Sequence, residues 1–272
     1  MRILDAHCHV FPDAIAVRGT EAVARFYEKP APPMVASLET VLETQQAAGI
    51  DLTILCTAAT APYQVRPINQ FMAQCVELSG GRCLALGTLH PDSEDLAGDI
   101  DHLLSLGLLG IKLHPDMQGF ALNAPKTMNL YATAGGRLPF LLHTGDRRFP
   151  YSNPEQLIPV LESFPETRFI GAHMADQIEP MNSAKLLAGK YPNLWVDLSS
   201  VHCFFGAELL YDVIQAYGTD RVLFGTDFPM LSPREEVEIF RSLPLTEEER
   251  RRIGWDNGVE LLGIDTEILK IS

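Results

Sequence analysis

Two histidines close to the amino terminus, His7 and His9, give the clearest chemical signal in this sequence of 272 residues. They lie in the run Asp5-Ala6-His7-Cys8-His9. In a β-strand, residues i and i+2 point to the same face, so both imidazoles would share one side, where they suit a first-row metal ion. Asp5 is predicted to lie on the same face of the strand as the two histidines. It could orient a metal ligand there, or it could be a buried residue that caps the side chains packed inside the barrel. Two locally hydrogen-bonded histidines would give the same pattern as a metal-binding pair.

Further ionisable residues follow the ends of other predicted strands. Seven of the eight histidines do so, and only His102 falls in a predicted helix. The other residues of this kind that could take part in chemistry are Lys112, His114, His143, His173 and Asp227. Buried polar groups need partners, so this many ionisable side chains at one end of a sheet are poorly explained as ordinary core residues. The set therefore favours a functional site.

The elements that must position these residues alternate along the chain. Short apolar runs rich in β-branched residues are separated by longer amphipathic stretches, which is typical of βα units and a parallel sheet. The predicted strands are Arg2–Val10, Leu52–Thr57, Cys83–Leu89, Leu108–His114, Leu138–His143, Arg168–His173, Asn193–Leu198 and Arg221–Thr226. The predicted helices include Ser37–Ala48, Asn69–Ser79, Leu96–Leu106, Pro154–Phe164, Ala184–Tyr191, Ala207–Tyr217 and Pro233–Arg241.

Eight strands, each followed by a helix, predict an α/β fold of the (β/α)8 TIM-barrel type. A doubly wound open sheet is the alternative, but such sheets usually carry a glycine-rich phosphate loop after the first strand, and none follows here. The polar residues also cluster at the carboxyl ends of the strands, which form the active face of a barrel. We expect a single barrel domain over residues 1–272, with a candidate lid at 11–36 and a helical tail at 246–272.

The composition restricts the partners of the protein. With 46% hydrophobic and 21% charged residues and a net charge of −14, the chain is expected to repel nucleic acid and anionic membranes. Its five cysteines contain no CxxC pair, and neither an apolar signal-peptide run nor a membrane-spanning stretch is found. We expect a cytoplasmic protein that binds a small molecule, with a homodimer as an open alternative to a monomer.

The sequence resembles the amidohydrolase superfamily, in the branch of metal-dependent hydrolases and decarboxylases related to aminocarboxymuconate semialdehyde decarboxylase. The pieces that match, in the order of the family, are Asp5-Ala6-His7-Cys8-His9, Gly110-Ile111-Lys112-Leu113-His114-Pro115, His143-Thr144-Gly145, His173, Phe224-Gly225-Thr226-Asp227-Phe228-Pro229 and the tail Trp255–Gly263. Together they are specific for the superfamily, but they do not specify a substrate.

This resemblance implies a site for a divalent metal ion. The implied ligands are His7, His9, His143 and Asp227. The resemblance makes His173 a further ligand or an acid/base, and places Lys112 where binuclear members carry a carboxylated lysine or a glutamate. One metal is usual in the decarboxylase-like branch, so we favour one metal over two. Zn²⁺ is the first expectation for histidine-rich ligation, with Mn²⁺ or Fe²⁺ as alternatives.

Several residues near the carboxyl ends of the predicted strands are candidates for contacts with the substrate, which is expected to be a carboxylate. Lys112 and His114 could hold a carboxylate or phosphate, or stabilise an oxyanion. Gln118 lies just beyond them in the sequence and could line the pocket. Arg147, in the loop after His143, suits bidentate recognition of a carboxylate.

Two reactions fit this set of residues. In the first, water activated on the metal cleaves an amide, lactone or ester of a small acidic molecule, and Asp227 takes a proton from that water. In the second, a non-oxidative decarboxylation, the metal acts as an electrophile and His173 donates a proton. The chain lacks the longer insertions associated with decarboxylases of this branch, so we expect a hydrolase, with a decarboxylase as the alternative. A barrel that only binds a ligand is the third interpretation.

Overall fold

The structure is a computed structural model that describes residues 1–267; of residues 202–205 it describes the backbone only. Its strands are all parallel to their neighbours and follow one another around the sheet in chain order. They are β1 Leu4–His9, β2 Leu52–Cys56, β3 Cys83–Ala85, β4 Gly87–Thr88, β5 Ile111–Leu113, β6 Phe140–Leu142, β7 Phe169–Gly171, β8 Leu194–Asp197 and β9 Val222–Leu223. The third predicted strand is thus divided into β3 and β4 at Leu86.

Backbone hydrogen bonds close these strands into a ring. Leu86 donates its N–H to the Leu55 carbonyl oxygen (2.9 Å), which continues the sheet across the break between β3 and β4. At the other junction, Ala6 donates to the Phe224 carbonyl oxygen and His9 to the Phe228 carbonyl oxygen, both at 2.9 Å. The predicted parallel α/β barrel is therefore confirmed, and its first and last strands are neighbours.

The helices surround this ring. They are α1 Asp13–Phe26, α2 Leu38–Ala48, α3 Val65–Leu78, α4 Leu96–Ser105, α5 Pro115–Gln118, α6 Pro125–Ala134, α7 Leu157–Ser163, α8 Pro180–Leu187, α9 His202–Tyr217, α10 Pro233–Ser242, α11 Glu247–Arg251 and α12 Asn257–Leu262. The start of α2 matches its prediction because the Ser37 hydroxyl accepts the Thr40 N–H (3.2 Å) as an N-cap. Within residues 1–267, no helix is long and apolar enough to cross a membrane.

Two of the longer helices lie where none was predicted. Helix α1 occupies much of the segment 11–36 that was expected to be a lid. Helix α6 begins at Pro125 and buries only Thr127, Leu130, Tyr131 and Ala134. Its threonines, asparagine and tyrosine are weak helix formers, so tertiary packing rather than local propensity accounts for this helix. The predicted tail is helical from Glu247 to Leu262, and its last residues, 268–272, lie outside the described residues.

The interior of the barrel is packed with apolar side chains and closed at its amino-terminal end by the tail. Its members are Leu4, Ala6, Leu52, Ile54, Cys56, Leu86, Leu141, Ile170, Ala172 and Leu223, together with Trp255, Leu261, Leu262 and Ile264 of the tail. Gly258 in α12 lies so close to the barrel that a Cβ atom there would be 2.9 Å from Leu4 Cδ2. With the amino-terminal end filled, only the carboxyl ends of the strands are open for a site.

Strand β1 contains a bulge that corrects one prediction. Asp5 pairs with Thr53 and Cys8 with Leu55, so β1 uses one more residue than β2 over this stretch. The extra residue breaks the alternation of side chains. Asp5 and Cys8 both contact Gln45 of α2, whereas His7 lies inside the barrel mouth. The prediction that Asp5 shares a face with the two histidines is therefore wrong.

The Asp5 carboxylate instead joins the first strand to the last. Its Oδ1 accepts the backbone N–H groups of His7 and Thr226, both at 3.0 Å. Its Oδ2 accepts the Gln45 amide (2.8 Å) and the Thr226 hydroxyl (2.6 Å). Burial raises the pKa of Asp5 to about 6, although each of these hydrogen bonds lowers it. The carboxylate thus holds β1, α2 and the segment after β9 in register.

We expect Asp5→Asn to lower the free energy of unfolding by about 3 kcal/mol, because an amide NH₂ would face donors that lose their acceptor. Urea unfolding followed by circular dichroism measures this loss. Asp212→Asn, at an exposed position on α9, is the matched control and should change stability by less than about 0.5 kcal/mol. Equal stability of the two variants would contradict the structural role of Asp5.

Candidate metal centre

The predicted ligands converge at the carboxyl ends of the strands. They come from four places in the ring, with His7 and His9 in β1, His143 after β6, His173 after β7 and Asp227 after β9. His9 Nε2 lies 3.1 Å from Asp227 Oδ1, and His7 Nε2 lies 3.6 Å from the same oxygen. His143 Nδ1 lies 3.1 Å from His173 Nε2, and the rings of His7 and His173 are 5.3 Å apart. All five residues are therefore brought together.

The spacing within pairs of these atoms fits a divalent cation, and two of the four imidazoles are held neutral. Neighbouring ligand atoms about 2.1 Å from one ion lie about 3.0–3.4 Å apart, close to the separations within the pairs His9–Asp227 and His143–His173. Burial lowers the pKa values of His143 and His173, which keeps both imidazoles neutral and their lone pairs available. Burial alone would raise the pKa of Asp227, but the hydrogen bond with His9 and the nearby His7 imidazole hold it well below its usual range.

The orientation of His7 is set by Asp197, which ends β8. Asp197 Oδ2 lies 3.0 Å from His7 Nδ1, so Nε2 is the nitrogen that faces Asp227. A carboxylate on the far nitrogen fixes the tautomer of a ligating histidine and raises its basicity. Asp197 Oδ1 also accepts the backbone N–H groups of His173 (3.0 Å) and Ser199 (3.1 Å). One carboxylate thus supports two of the predicted ligands.

The tautomer of His173 is also fixed by its surroundings. Its Nδ1 lies 2.9 Å from the Ser199 carbonyl oxygen, which can only accept a hydrogen bond. The proton of the neutral ring therefore sits on Nδ1, and Nε2 presents a lone pair to His143. This arrangement favours a ligand over a proton donor at His173 Nε2.

The loops that carry the site have an unusual backbone. Among the described residues, five of the six non-glycine residues with positive φ lie in these loops: His173, Met174, Ala175, Ser200 and Asp227. Such conformations cost about 1–3 kcal/mol each and tend to occur at functional sites. Asp227 is held by its N–H bond to the His7 carbonyl oxygen (2.8 Å) and by the Ser200 hydroxyl, which donates to Oδ2 (2.6 Å).

Lys112, in β5, reaches the same centre. Its Nζ lies 2.9 Å from His7 Nε2, and the side chain is almost completely buried. Burial lowers the pKa of Lys112, which favours the neutral amine more than in water. The residue also lines a cavity at the barrel mouth, so its amine is available both to the centre and to a bound molecule.

His114 and Gln118 act as a pair just beyond β5. The His114 ring stacks on His143 with centroids 3.9 Å apart, and its Nε2 lies 2.7 Å from the Tyr27 hydroxyl. Gln118 Oε1 accepts the His114 N–H at 2.7 Å. Its Nε2 donates to the carbonyl oxygens of Ala59 and Leu89. The structure therefore places Gln118 behind His114, where it positions the histidine.

Arg147 lies away from the ligands, in the loop after His143. Its Nη2 bonds to Asp176 Oδ2 (2.5 Å) and to Glu179 Oε2 (3.3 Å). The neighbouring Arg148 bonds through two nitrogens to Asp146. Both guanidinium groups therefore have carboxylate partners within the protein. His202, which follows the predicted seventh strand, has a side chain outside the described set.

Two cavities, with volumes of 710 and 740 Å³, open at this centre. Both are lined by Tyr27, Asp227 and Met230, which stand where the cavities meet. Tyr27 directly follows α1, and its hydroxyl also lies 3.4 Å from His143 Nε2. Sequence reasoning missed Tyr27, because no local pattern shows that the segment after α1 bends over the barrel. It also missed Asp197, although that residue ends a predicted strand as the ligands do.

The chain was compared with known proteins. A family model described as amidohydrolase matches residues 4–264. The gamma-resorcylate decarboxylase of Polaromonas sp. (strain JS666 / ATCC BAA-500) is 26% identical over 121 residues, which cover 39% of this chain and 37% of that protein. An uncharacterized TIM-barrel protein from Bordetella bronchiseptica has a TM-score of 0.79 at 22% identity, covering 97% of this chain and 99% of that chain.

A second solved structure is a dihydroxybenzoic acid decarboxylase from Polaromonas sp. JS666 with bound manganese and the inhibitor 2-nitroresorcinol. It has a TM-score of 0.72 at 17% identity, covering 98% of this chain and 99% of that chain. At these identities the solved structures show the fold, and they agree with the barrel.

Asp197→Asn should weaken binding of a divalent cation by about 10- to 100-fold, because His7 loses the carboxylate that fixes its tautomer. Competition with a chelator for Zn²⁺ and for Mn²⁺ measures the affinity. Asp176→Asn is the matched control, since the Asp176 carboxylate is equally buried and accepts backbone N–H groups, and its hydrogen bonds go to Arg147, Ile178 and Glu179 rather than to the predicted ligands. If both variants bind the ions as tightly as the unmodified protein, Asp197 does not orient His7.

Proposed function

This chain belongs to the amidohydrolase family, and from that premise we propose that it is a metal-dependent decarboxylase of a small carboxylic acid. The observation that carries the proposal is the convergence of three imidazole groups and the Asp227 carboxylate with His173 and Lys112 at the open end of the barrel. The compared proteins whose activity is named are decarboxylases, which favours the alternative reaction of the sequence-based prediction over hydrolysis.

We propose that one divalent ion is held by five side chains: His7, His9, His143, His173 and Asp227. The ion would supply an electrophile that binds and polarises oxygen atoms of the substrate. Zn²⁺ fits the histidine-rich set of ligands, and the manganese in the compared decarboxylase makes Mn²⁺ an equal candidate. Lys112 and His114 line the first cavity beside these ligands and would contact the carboxylate of the substrate.

The reaction needs one proton for each turnover. The bond between the carboxylate and its carbon breaks, CO₂ leaves, and the electron pair left on that carbon takes up a proton. Asp227 is the residue placed to relay this proton, because it lines both cavities and its Oδ2 accepts a hydrogen bond from Ser200. Its low pKa means that the carboxylate passes the proton on rather than storing it. Ser200 lines only the second cavity, from which a solvent proton would reach the carboxylate. His173 is assigned to the ligands rather than to proton donation because its Nδ1 proton is held by Ser199.

A reducing cytoplasm is the proposed location. It is supported by four cysteines, Cys8, Cys56, Cys75 and Cys83, which are buried as free thiols. The homodimer stays a prediction.

Hydroxybenzoic acids should release CO₂ when mixed with the metal-loaded protein, and headspace analysis measures the gas together with the decarboxylated product. Asp227→Asn should lower kcat by about 10²- to 10⁴-fold, because the amide can neither relay the proton nor supply a carboxylate to the ion. Asp212→Asn, on the outer helix α9, is the control and should keep full activity. Cleavage of amides, lactones or esters without release of CO₂ would instead establish the hydrolase.

Elemental analysis should find about one Zn²⁺ or Mn²⁺ per chain, because one set of ligands is present at the barrel mouth. His7→Ala and Asp227→Ala should each lose the ion while circular dichroism shows a folded protein. Two ions per chain would contradict the proposed single centre and would place Lys112 in the coordination sphere as a carbamate.

A further inference from the structure

The first cavity is much larger than the proposed reaction needs. An apolar cavity of about 150 Å³ is enough to hold benzene, whereas this cavity has a volume of 710 Å³. The ligand atoms occupy one end of it, since His9, Lys112, His143 and Asp227 all contribute to its wall. A single ring bound there would leave most of the space unfilled.

The rest of the wall is mostly apolar, with Thr57, Thr60 and Gln64 as polar members. It lies between α1 and the chain from Thr57 to Phe71, and away from the metal centre no charged side chain lines it. The apolar side chains that form this part are Phe11, Ile15, Val23, Phe26, Ile68 and Phe71. An occupant of this space gains free energy by losing contact with water only if it is itself apolar.

The outer end of the cavity exposes apolar residues to solvent. Ile15 is 42% exposed and Tyr63 is 79% exposed, and both line the cavity. They belong to only six large hydrophobic residues that are exposed among the described residues. Exposed apolar groups at the mouth of a cavity indicate a surface that an apolar ligand covers.

The second cavity differs from the first in carrying charged side chains beside its apolar ones. Its wall includes Glu28, Asp146, Arg147 and Arg148. Water, protons and small polar products suit such a wall, whereas a hydrocarbon group would leave these charged groups poorly solvated. The two cavities meet at Asp227, and an apolar part of the substrate is more stable in the first, whose wall away from the metal centre carries no charged side chain.

We propose that the substrate is a carboxylic acid with a bulky hydrocarbon substituent that lies in the first cavity between α1 and α3. This inference rests on the proposed decarboxylation and narrows its substrate class. The carboxylate faces the metal centre, and the substituent extends past Phe26 and Ile68 towards Ile15 and Tyr63. Contacts between the substituent and this cavity stabilise the bound substrate and the transition state equally. They should therefore lower KM and leave kcat nearly constant.

The test uses the metal-loaded protein and hydroxybenzoic acids that carry alkyl chains of zero to six carbon atoms, meta or para to the carboxylate. In the better of the two series, each methylene that enters the cavity should raise kcat/KM about fourfold. Ala22→Trp places an indole in the cavity wall and should reduce the advantage of the hexyl acid over the unsubstituted acid by at least tenfold. Ala14→Trp, exposed on the same helix but outside the cavity, is the matched control and should keep the advantage.

A binding measurement separates this inference from the proposed reaction. Calorimetry with 3- and 4-alkylbenzoates should show that Kd falls about fourfold for each added methylene. Ala22→Trp should abolish this dependence on chain length. Both results are expected even if no acid is decarboxylated. Turnover of the acids without any dependence on chain length would overturn the inference and leave the decarboxylase standing. A dependence on chain length that survives in Ala22→Trp would also overturn it, because the chain would then lie elsewhere.

Discussion

The contact between the first strand and the last is the constraint on which the rest of the structure depends. It brings His7 and His9 next to Asp227, and no other pairing of strands could do so. The Asp5 carboxylate accepts hydrogen bonds from both sides of this junction. Its burial is unfavourable, as the raised pKa shows, and the four hydrogen bonds compensate for that cost. Barrel closure and assembly of the centre are therefore the same event.

Around this junction, charge is balanced by close contacts rather than by solvent. His7 lies between two carboxylates, Asp197 on Nδ1 and Asp227 near Nε2. A buried carboxylate is tolerated only when it is paired or hydrogen-bonded. The Asp197 carboxylate meets this condition through His7, His173 and Ser199, and burial of these partners keeps the arrangement rigid. Rigid side chains that are already in place suit the proposed centre, which would bind a cation and a substrate together.

The strand-end residues could be predicted from the sequence because parallel strands impose their own geometry. The carboxyl ends of parallel strands meet at one face of a barrel, so His143, His173 and Asp227 had to lie close together whatever the details of packing. The direction of Asp5 could not be predicted, since a bulge leaves no mark in the residue pattern. Tyr27 and the partners of Arg147 were also missed, because both depend on how irregular loops fold over the barrel.

The junction between the two ends of the barrel also sets the order of events when the chain is made. His9 and Asp227 are separated by 218 residues, so the histidines leave the ribosome long before their carboxylate partner is synthesised. Until then, the nascent chain exposes an unpaired edge at β1 and an incomplete set of ligands. Loading of the proposed cation would therefore follow translation. The ion that is captured is decided by metal availability in the compartment where the finished chain folds.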